Sequence, residues 1–229
     1  MPSPVSPEIH AIAFDAVGTL IHPHPSAAEA YRRTGQRFGS KLSLETITAR
    51  FSSAFKRQEE IDRSAGFCTD EAREVARWRA IVAQVLDDVA DSEACFSELY
   101  AHFAQPTAWR LSDHAESTLA HLARGGYRIG IASNFDDRIR KVLSPTPWRD
   151  LPLIVSAAVG WRKPAGPFFE AVCATFQVQP HSVLHVGDDV ANDYEGALAA
   201  GLNAVLFDPH DRASESVKRV RSLLELIES

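Results

Sequence analysis

Residues 9–14 read IHAIAF, a short β-rich run that stops at Asp15 and a turn bearing Gly18. A strand there delivers the Asp15 carboxylate to its C-terminal tip. From Ser26 to about Phe103 the apolar spacing changes to three and four, which predicts helices over 27–38, 44–60, 70–89 and 92–103. Val75, Trp78, Val82 and Val85 form one such stripe, and Thr69 or Asp70 and Asp91 or Ser92 are candidate N-caps. This stretch contains no good strand, and Pro23, Pro25 and Pro106 stand near its two junctions.

From Ser112 onward the two periods alternate. Helices are expected over 113–124, 136–143, 165–176, 192–200 and 214–228, and strands over 127–132, 153–156, 183–186 and 204–207. Gly125-Gly126 stops the first of these helices, and the proline-bearing loop 144–152 is irregular. Short apolar strands separated by helices require a mostly parallel sheet covered on both faces. The fold class is therefore α/β: a mostly parallel sheet with flanking helices, divided in sequence by an inserted all-helical unit.

The chain has 229 residues, 45% of them hydrophobic, which suffices for one sizeable core and a small accessory unit. Its net charge is -6 and no lysine-arginine stripe is present, so nucleic acid is a poor partner. Three scattered cysteines, Cys68, Cys95 and Cys173, show no metal-ligand spacing and suit a reducing compartment. No basic segment with an apolar run follows Met1, and no apolar stretch approaches ~18 residues. The expectation is a cytoplasmic protein with no membrane partner, and no oligomeric state follows from the sequence.

Four polar features occupy one architectural position. Asp15 follows the first strand, Ser133-Asn134 follow IGIA, Lys163-Pro164 follow the strand around Ile154, and Asp188-Asp189 follow LHVG. In an open parallel sheet, ligands bind beyond the C-terminal strand ends. Asp15 and Asp188 would repel there unless a cation joined them, and a hard, oxygen-seeking ion such as Mg2+ suits carboxylates. No clustered His or Cys points to zinc. Lys163 would offset shared negative charge, while Ser133, with backbone N–H groups at the following helix start, would donate to phosphoryl oxygens. As a helix-preceding serine it could equally act as an N-cap.

FDAVGTL at 14–20, SN at 133–134, KP at 163–164 and GDDVANDYEGALAAG at 187–201 resemble, in order, the motifs of the haloacid dehalogenase (HAD) superfamily. The resemblance spans about 9–207. It implies a Rossmann-like catalytic core over 7–22 and 107–229, with 23–106 a helical cap of the superfamily's first (C1) type. It further implies Asp15 as a nucleophile that forms an aspartyl intermediate and ligates Mg2+, with the Val17 carbonyl and Asp188 as further ligands. Asp193, five residues after Asp188, would hold a metal-bound water or Lys163, and Thr19 and Asp189 would stand around the metal site. Ser133, Asn134 and Lys163 would contact substrate, expected to be a small phosphorylated metabolite. The wider wording is similar to less characterised haloacid dehalogenase-like hydrolases.

One position departs from that pattern. Superfamily phosphatases usually carry a second aspartate two residues after the nucleophile, as proton donor and then base, and here it is Val17. Losing such a group costs about 10²- to 10⁴-fold. The chain could therefore be a slow phosphatase, an enzyme for leaving groups that need little protonation, one whose acid comes from cap or substrate, or a phospho-ligand or protein-binding module. A 2-haloacid dehalogenase would tolerate Val17, because halide leaves without a proton. Such enzymes generally carry tyrosine there and remodel the acidic motif, whereas Asp188, Asp189 and Asp193 are retained, so a metal pocket is favoured.

Other candidates have plainer readings. Thr19 closes its turn locally, His22 and His24 are exposed connector residues or a substitute proton source, and His185 is an interior hydrogen-bonded residue. Arg32, Arg33 and Arg37 read as solvated surface. Trp109, Trp148 and Trp161 read as packing residues, Trp161 bordering the pocket.

Overall fold

The computed structural model describes residues 5–6 and 8–227. Pro7, where the expected core segment begins, and Glu228, where the expected last helix ends, lie outside them.

A six-stranded sheet has the order β5-β4-β1-β6-β7-β8: Leu153–Val155, Arg128–Ser133, Ala11–Phe14, Val183–Gly187, Asn203–Phe207 and Arg219–Val220. Every neighbouring pair is parallel, with Ala13 opposite Gly130 on one side and His185 on the other. Alternation along β1 sends Ile12 and Phe14 into one apolar layer, with Leu119 and Leu122 of α5 (Ala115–Arg124) and Ile139 of α6 (Arg138–Leu143). Ala11 and Ala13 face the other layer. Their small side chains leave room for Phe168, Phe169 and Phe176 of α8 (Gly166–Phe176). The connection from β5 to α8 holds a short helix, α7 (Ser156–Val159).

The inserted region leaves and returns through an antiparallel ribbon, β2 (Ile21–Pro23) against β3 (Trp109–Leu111). Periodicity cannot detect strands this short when Pro23 closes one and Arg110 splits the other. Between them lie α1 (Ala27–Arg37), α2 (Leu44–Ser64), α3 (Glu71–Val85) and α4 (Ser92–His102), capped by Ser26, Ser43, Asp70 and Asp91. Tyr31, Ile47, Ile81, Val85, Leu86 and Leu99 build their shared core. Helix α3 ends four residues before the expected 89. Asp87 leaves the helix to pair with Arg50, and Asp88 accepts from Lys41 N at 2.9 Å.

The insert is clasped to the sheet domain beside position 163. Thr69 N donates to Gly160 O at 3.0 Å and Arg162 N to Phe67 O at 2.9 Å. The Arg162 guanidinium pairs with Glu74, while Asp62 binds Arg77. All four side chains are buried, so charge neutralisation here is mutual.

Two C-terminal expectations fail. No helix spans 214–228 among the described residues: Val220 sits in β8, followed by a single tight turn at Leu223–Leu226. The spacing of Val217, Val220, Leu223 and Leu226 imitates a helix, but Leu206 N takes Lys218 O and Asp208 N takes Val220 O, which completes a sheet edge. The expected helix 192–200 is instead a wide π-helical turn, Val190–Glu195, running into α9 (Gly196–Ala199). Both Asp193 N and Tyr194 N donate to Asp189 O, which widens the turn while Asp193 stays buried beneath it.

Candidate active site

Asp15 leaves β1 with its N–H donating to Val186 O at 2.8 Å, so the carboxylate stands between β4 and β6. Gly18 then turns the chain at φ +98, and a Cβ on it would overlap the Asp188 carboxylate. Glycine is thus what lets the two acidic loops approach. Thr19 does not close its own turn as expected: its hydroxyl donates to Asp188 Oδ1 at 3.2 Å, 169 residues away.

Lys163 is the hub. Its Nζ donates to Asp15 Oδ1 at 2.7 Å, Asp193 Oδ1 at 2.5 Å and Ala132 O at 3.0 Å. Asn134 holds the lysine backbone at both ends, donating to Lys163 O at 3.0 Å and accepting from Lys163 N at 2.7 Å. Asp193 also binds His185 Nε2 at 2.9 Å and accepts from Asp189 N at 3.0 Å. Asp189 caps the wide turn by accepting from Asn192 N at 2.8 Å. Ser133 ends β4 buried and lines the cavity, but α6 begins at Arg138 after its N-cap Asp137. Ser133 is therefore no N-cap, and the N–H groups of that helix start are separated from it by a loop.

Electrostatics divides the acids. Burial pushes Asp15 up to about 6 and exceeds the opposing pull of the Lys163 charge. For Asp193, burial is outweighed by Lys163 and His185 together, which hold it below the usual carboxylate range. Lys163 is likewise desolvated, yet Asp15 and Asp193 raise it above its ordinary value. Asp188 is open to the cavity, yet desolvation by the protein around it is its first influence. With Asp15 and Asp193 nearby, it moves up to about 8. His185 is lowered by burial and stays neutral near pH 7.

One ligand oxygen from each of Asp15, Asp188 and Asp193 lies within 4.8 Å of the others. Three carboxylates share one ammonium, so the crevice carries excess negative charge, and among the described residues Asp188 has only the Thr19 hydroxyl as a hydrogen-bond donor. An oxygen-lined site with excess negative charge fits a hard divalent cation, whereas Asp193 is already committed to Lys163 and His185.

The sheet-domain groups open into a cavity of about 340 Å³ that the insert roofs. Asp15, Val17, Ser133, Asn134, Lys163, Asp188, Asp189 and Asp193 all line it, as do Glu59, Arg162 and Asn192, which were not foreseen. Phe51, Phe55 and Glu59 recur every four residues on α2, so a carboxylate continuing an aromatic stripe was the available signal. Glu59 approaches Asn192 Nδ2 at 3.5 Å, and burial followed by Asp189 raises its protonation. His22 and His24 do not line the cavity, and His22 is bonded to Ser112 Oγ at 2.8 Å. Trp161 stays outside the lining as well, whereas Trp109 belongs to it.

A parallel α/β domain whose strand tips converge on an acidic, lysine-bridged crevice under a helical insert defines a capped hydrolase architecture. The chain belongs to the haloacid dehalogenase-like hydrolases, whose family model matches residues 9–201. It is 27% identical to human haloacid dehalogenase-like hydrolase domain-containing protein 3 over 206 residues, which cover 87% of this chain and 82% of that protein. Ribulose-1,5-bisphosphate 5-phosphatase of Halopiger xanaduensis is 28% identical over 219 residues, covering 91% and 90%. The fold is also that of the HAD-hydrolase YfnB from Bacillus subtilis bound to magnesium, with a TM-score of 0.76, 20% identity, and coverage of 96% and 97%.

Proposed function

We propose that the protein is a magnesium-dependent phosphatase acting on a small phosphorylated metabolite through an aspartyl intermediate on Asp15. The observation that carries this reading is the Lys163 ammonium held at once by Asp15 and Asp193, with Asp188 in the same crevice. Asp15, the Val17 carbonyl and Asp188 would hold Mg2+, which supplies neutralisation of phosphoryl oxygen charge. On this reading the core would run over 7–22 and 107–229 and a C1-type cap over 23–106, and the interdomain movement described for YfnB supports an opening that admits substrate.

Asp15 attacks phosphorus, the ester P–O bond breaks, and the leaving oxygen departs with its electron pair. Lys163 orients Asp15 and offsets the charge of the entering phosphate, while the Ser133 hydroxyl donates to a phosphoryl oxygen. Asp193 and Asn134 fix the lysine. Water then attacks phosphorus, the Asp15–phosphorus bond breaks, and inorganic phosphate leaves as solvent takes the released proton. Val17 transfers no proton in either step, so leaving groups that depart unprotonated are favoured. A second phosphate, as in the ribulose bisphosphate named for the Halopiger enzyme, would find both cavity arginines already taken: Arg138 by Asp136 and Arg162 by Glu74.

Acetyl phosphate and phenyl phosphate should be hydrolysed with Mg2+ and not with EDTA. Val17 also favours a second reading, a phospho-ligand or protein-binding module; stabilisation by a phosphate analogue with turnover no faster than buffer would select it. Chloride release from a 2-chloroacid without Mg2+ would instead select dehalogenation.

Metal and pH are linked in a second expectation. Asp15 and Asp188 hold protons more tightly folded than unfolded, so the stability they contribute is complete below ~4. It is lost as pH rises through about 6 and about 8. In EDTA the melting temperature should fall by roughly 5 °C or more between pH 5.5 and pH 9. Millimolar Mg2+ should remove most of that fall, and equal slopes with and without Mg2+ would contradict a cation at these carboxylates.

A further inference from the structure

Above the acidic floor the cavity is walled by aromatic rings in unbroken contact. Trp78 of α3 meets Phe55 of α2 with centroids 6.4 Å apart, Phe55 stacks on Phe51 at 6.2 Å, and Phe51 meets Tyr31 of α1 edge-on at 5.2 Å. The series continues from Tyr31 to Phe103 at 6.4 Å, to Trp109 of β3 at 5.9 Å, and to Phe135 after β4 at 6.0 Å. Each of these rings lines the same cavity as Asp15 and Lys163. The spacings are those at which aromatic rings attract one another, and a further ring among them gains the same contacts. All but Tyr31 and Phe135 remain only partly buried, so ring surface stays open.

The polar side chains of this wall offer little to a hydroxylated ligand. Arg138 donates to both carboxylate oxygens of Asp136 at 2.7 Å, Arg162 is held by Glu74, and Asn134 spends both amide atoms on the Lys163 backbone. Glu59 and Asn192 remain at one side, but the hydroxyls of a sugar that face the rings would be buried without partners, which is unfavourable. Val17 adds an independent constraint at the floor. A phenol, with a pKa of about 10 as in tyrosine, leaves more readily unprotonated than an aliphatic alcohol, whose acidity is near that of water at about 16.

Resting on the phosphatase reading above, we infer that the substrate is a phosphate monoester of an aromatic hydroxyl compound, its ring held by the cap's aromatic wall and its phosphate by Asp15, Lys163 and the cation. The cavity's volume of about 340 Å³ suits a compact ligand of this kind. Asp15 displaces the phenolate, which carries away the P–O bonding pair and takes its proton from solvent, and water releases phosphate from Asp15. The wall and Val17 thus address different atoms of one substrate, the ring and its oxygen.

Ring recognition and leaving-group chemistry separate in a four-substrate comparison of kcat/KM with Mg2+. Benzyl phosphate should exceed ethyl phosphate by about 10- to 100-fold, the effect of burying one ring. Phenyl phosphate should exceed benzyl phosphate by at least about tenfold, and glucose 6-phosphate should do no better than ethyl phosphate. Phe55→Leu and Trp78→Leu, which remove the ring but leave an apolar side chain, should each shrink the benzyl-to-ethyl ratio by about fivefold or more. That ratio is internal to each variant, so a general loss of activity cancels. A parallel calorimetric comparison of benzylphosphonate with methylphosphonate needs no turnover. Equal rates for benzyl and ethyl phosphate, both requiring Mg2+, would overturn the inference and leave a phosphatase. No turnover with benzylphosphonate still preferred would overturn the phosphatase and keep the ring site. No turnover with equal phosphonate affinities would overturn both.

Discussion

Asp15→Asn is expected to lower kcat for phenyl phosphate by about 10⁴-fold or more, as removal of an attacking group does. The substitution is nearly isosteric, so Lys163 keeps Asp193 at 2.5 Å and Ala132 O at 3.0 Å, and the crevice retains its shape. It also removes a buried charge whose ionisation the fold resists, since Asp15 titrates at about 6. Metal-free Asp15→Asn protein should consequently melt no lower than the parent at pH 8, because desolvation no longer acts on that side chain. Turnover assays and thermal melts on the same preparation separate the two effects. Residual turnover within tenfold of the parent would remove Asp15 from the role of nucleophile. A collapse of the melting temperature would show that its contribution is to folding.

The reverse change should follow at the neighbouring position. Val17→Asp is expected to raise kcat/KM for ethyl phosphate by about 10²-fold, toward the low end of what a positioned acid contributes. Phenyl phosphate should gain far less, since its leaving oxygen already departs unprotonated. The gain is limited because Val17 packs partly against the main apolar layer and because a further carboxylate joins Asp15, Asp188 and Asp193. Steady-state kinetics on both esters checks this, with Mg2+ affinity measured alongside. An unchanged ethyl ester rate in a folded, Mg2+-binding variant would mean that absence of a proton donor is not what separates this chain from efficient alkyl phosphatases.

Much of the crevice could be read from the chain before any contact was known, because strand tips in a parallel sheet all point to one edge. Asp15, Ser133 and Asp188 stand at the ends of short apolar runs and Lys163 comes a short connection after another, and all of them reach the same cavity. How they divide their tasks was less legible. Asn134 serves the backbone of Lys163, and Thr19 reaches across to Asp188 instead of its own turn. Each partner is more than 25 residues distant, so no local pattern names it.

Periodicity failed where long-range pairing outweighed local preference. The three-residue spacing around Val220 resembled a helix, yet an open edge at β7 offered backbone hydrogen bonds that a terminal helix could not use. Between Val190 and Glu195 the chain widened its turn while Asp193 reached Lys163 and His185.

Order, period and residue type were enough to establish a parallel α/β layer, a helical insertion and an acidic strand-end cluster, since each follows from the local geometry of strands and helices. Docking of the insert over the sheet was what joined Trp78, Phe55, Phe51 and Tyr31 to Trp109 and Phe135 and brought Glu59 to Asn192. Those meetings depend on how two surfaces pack in three dimensions, and the one-dimensional pattern carries only the apolar face of each surface.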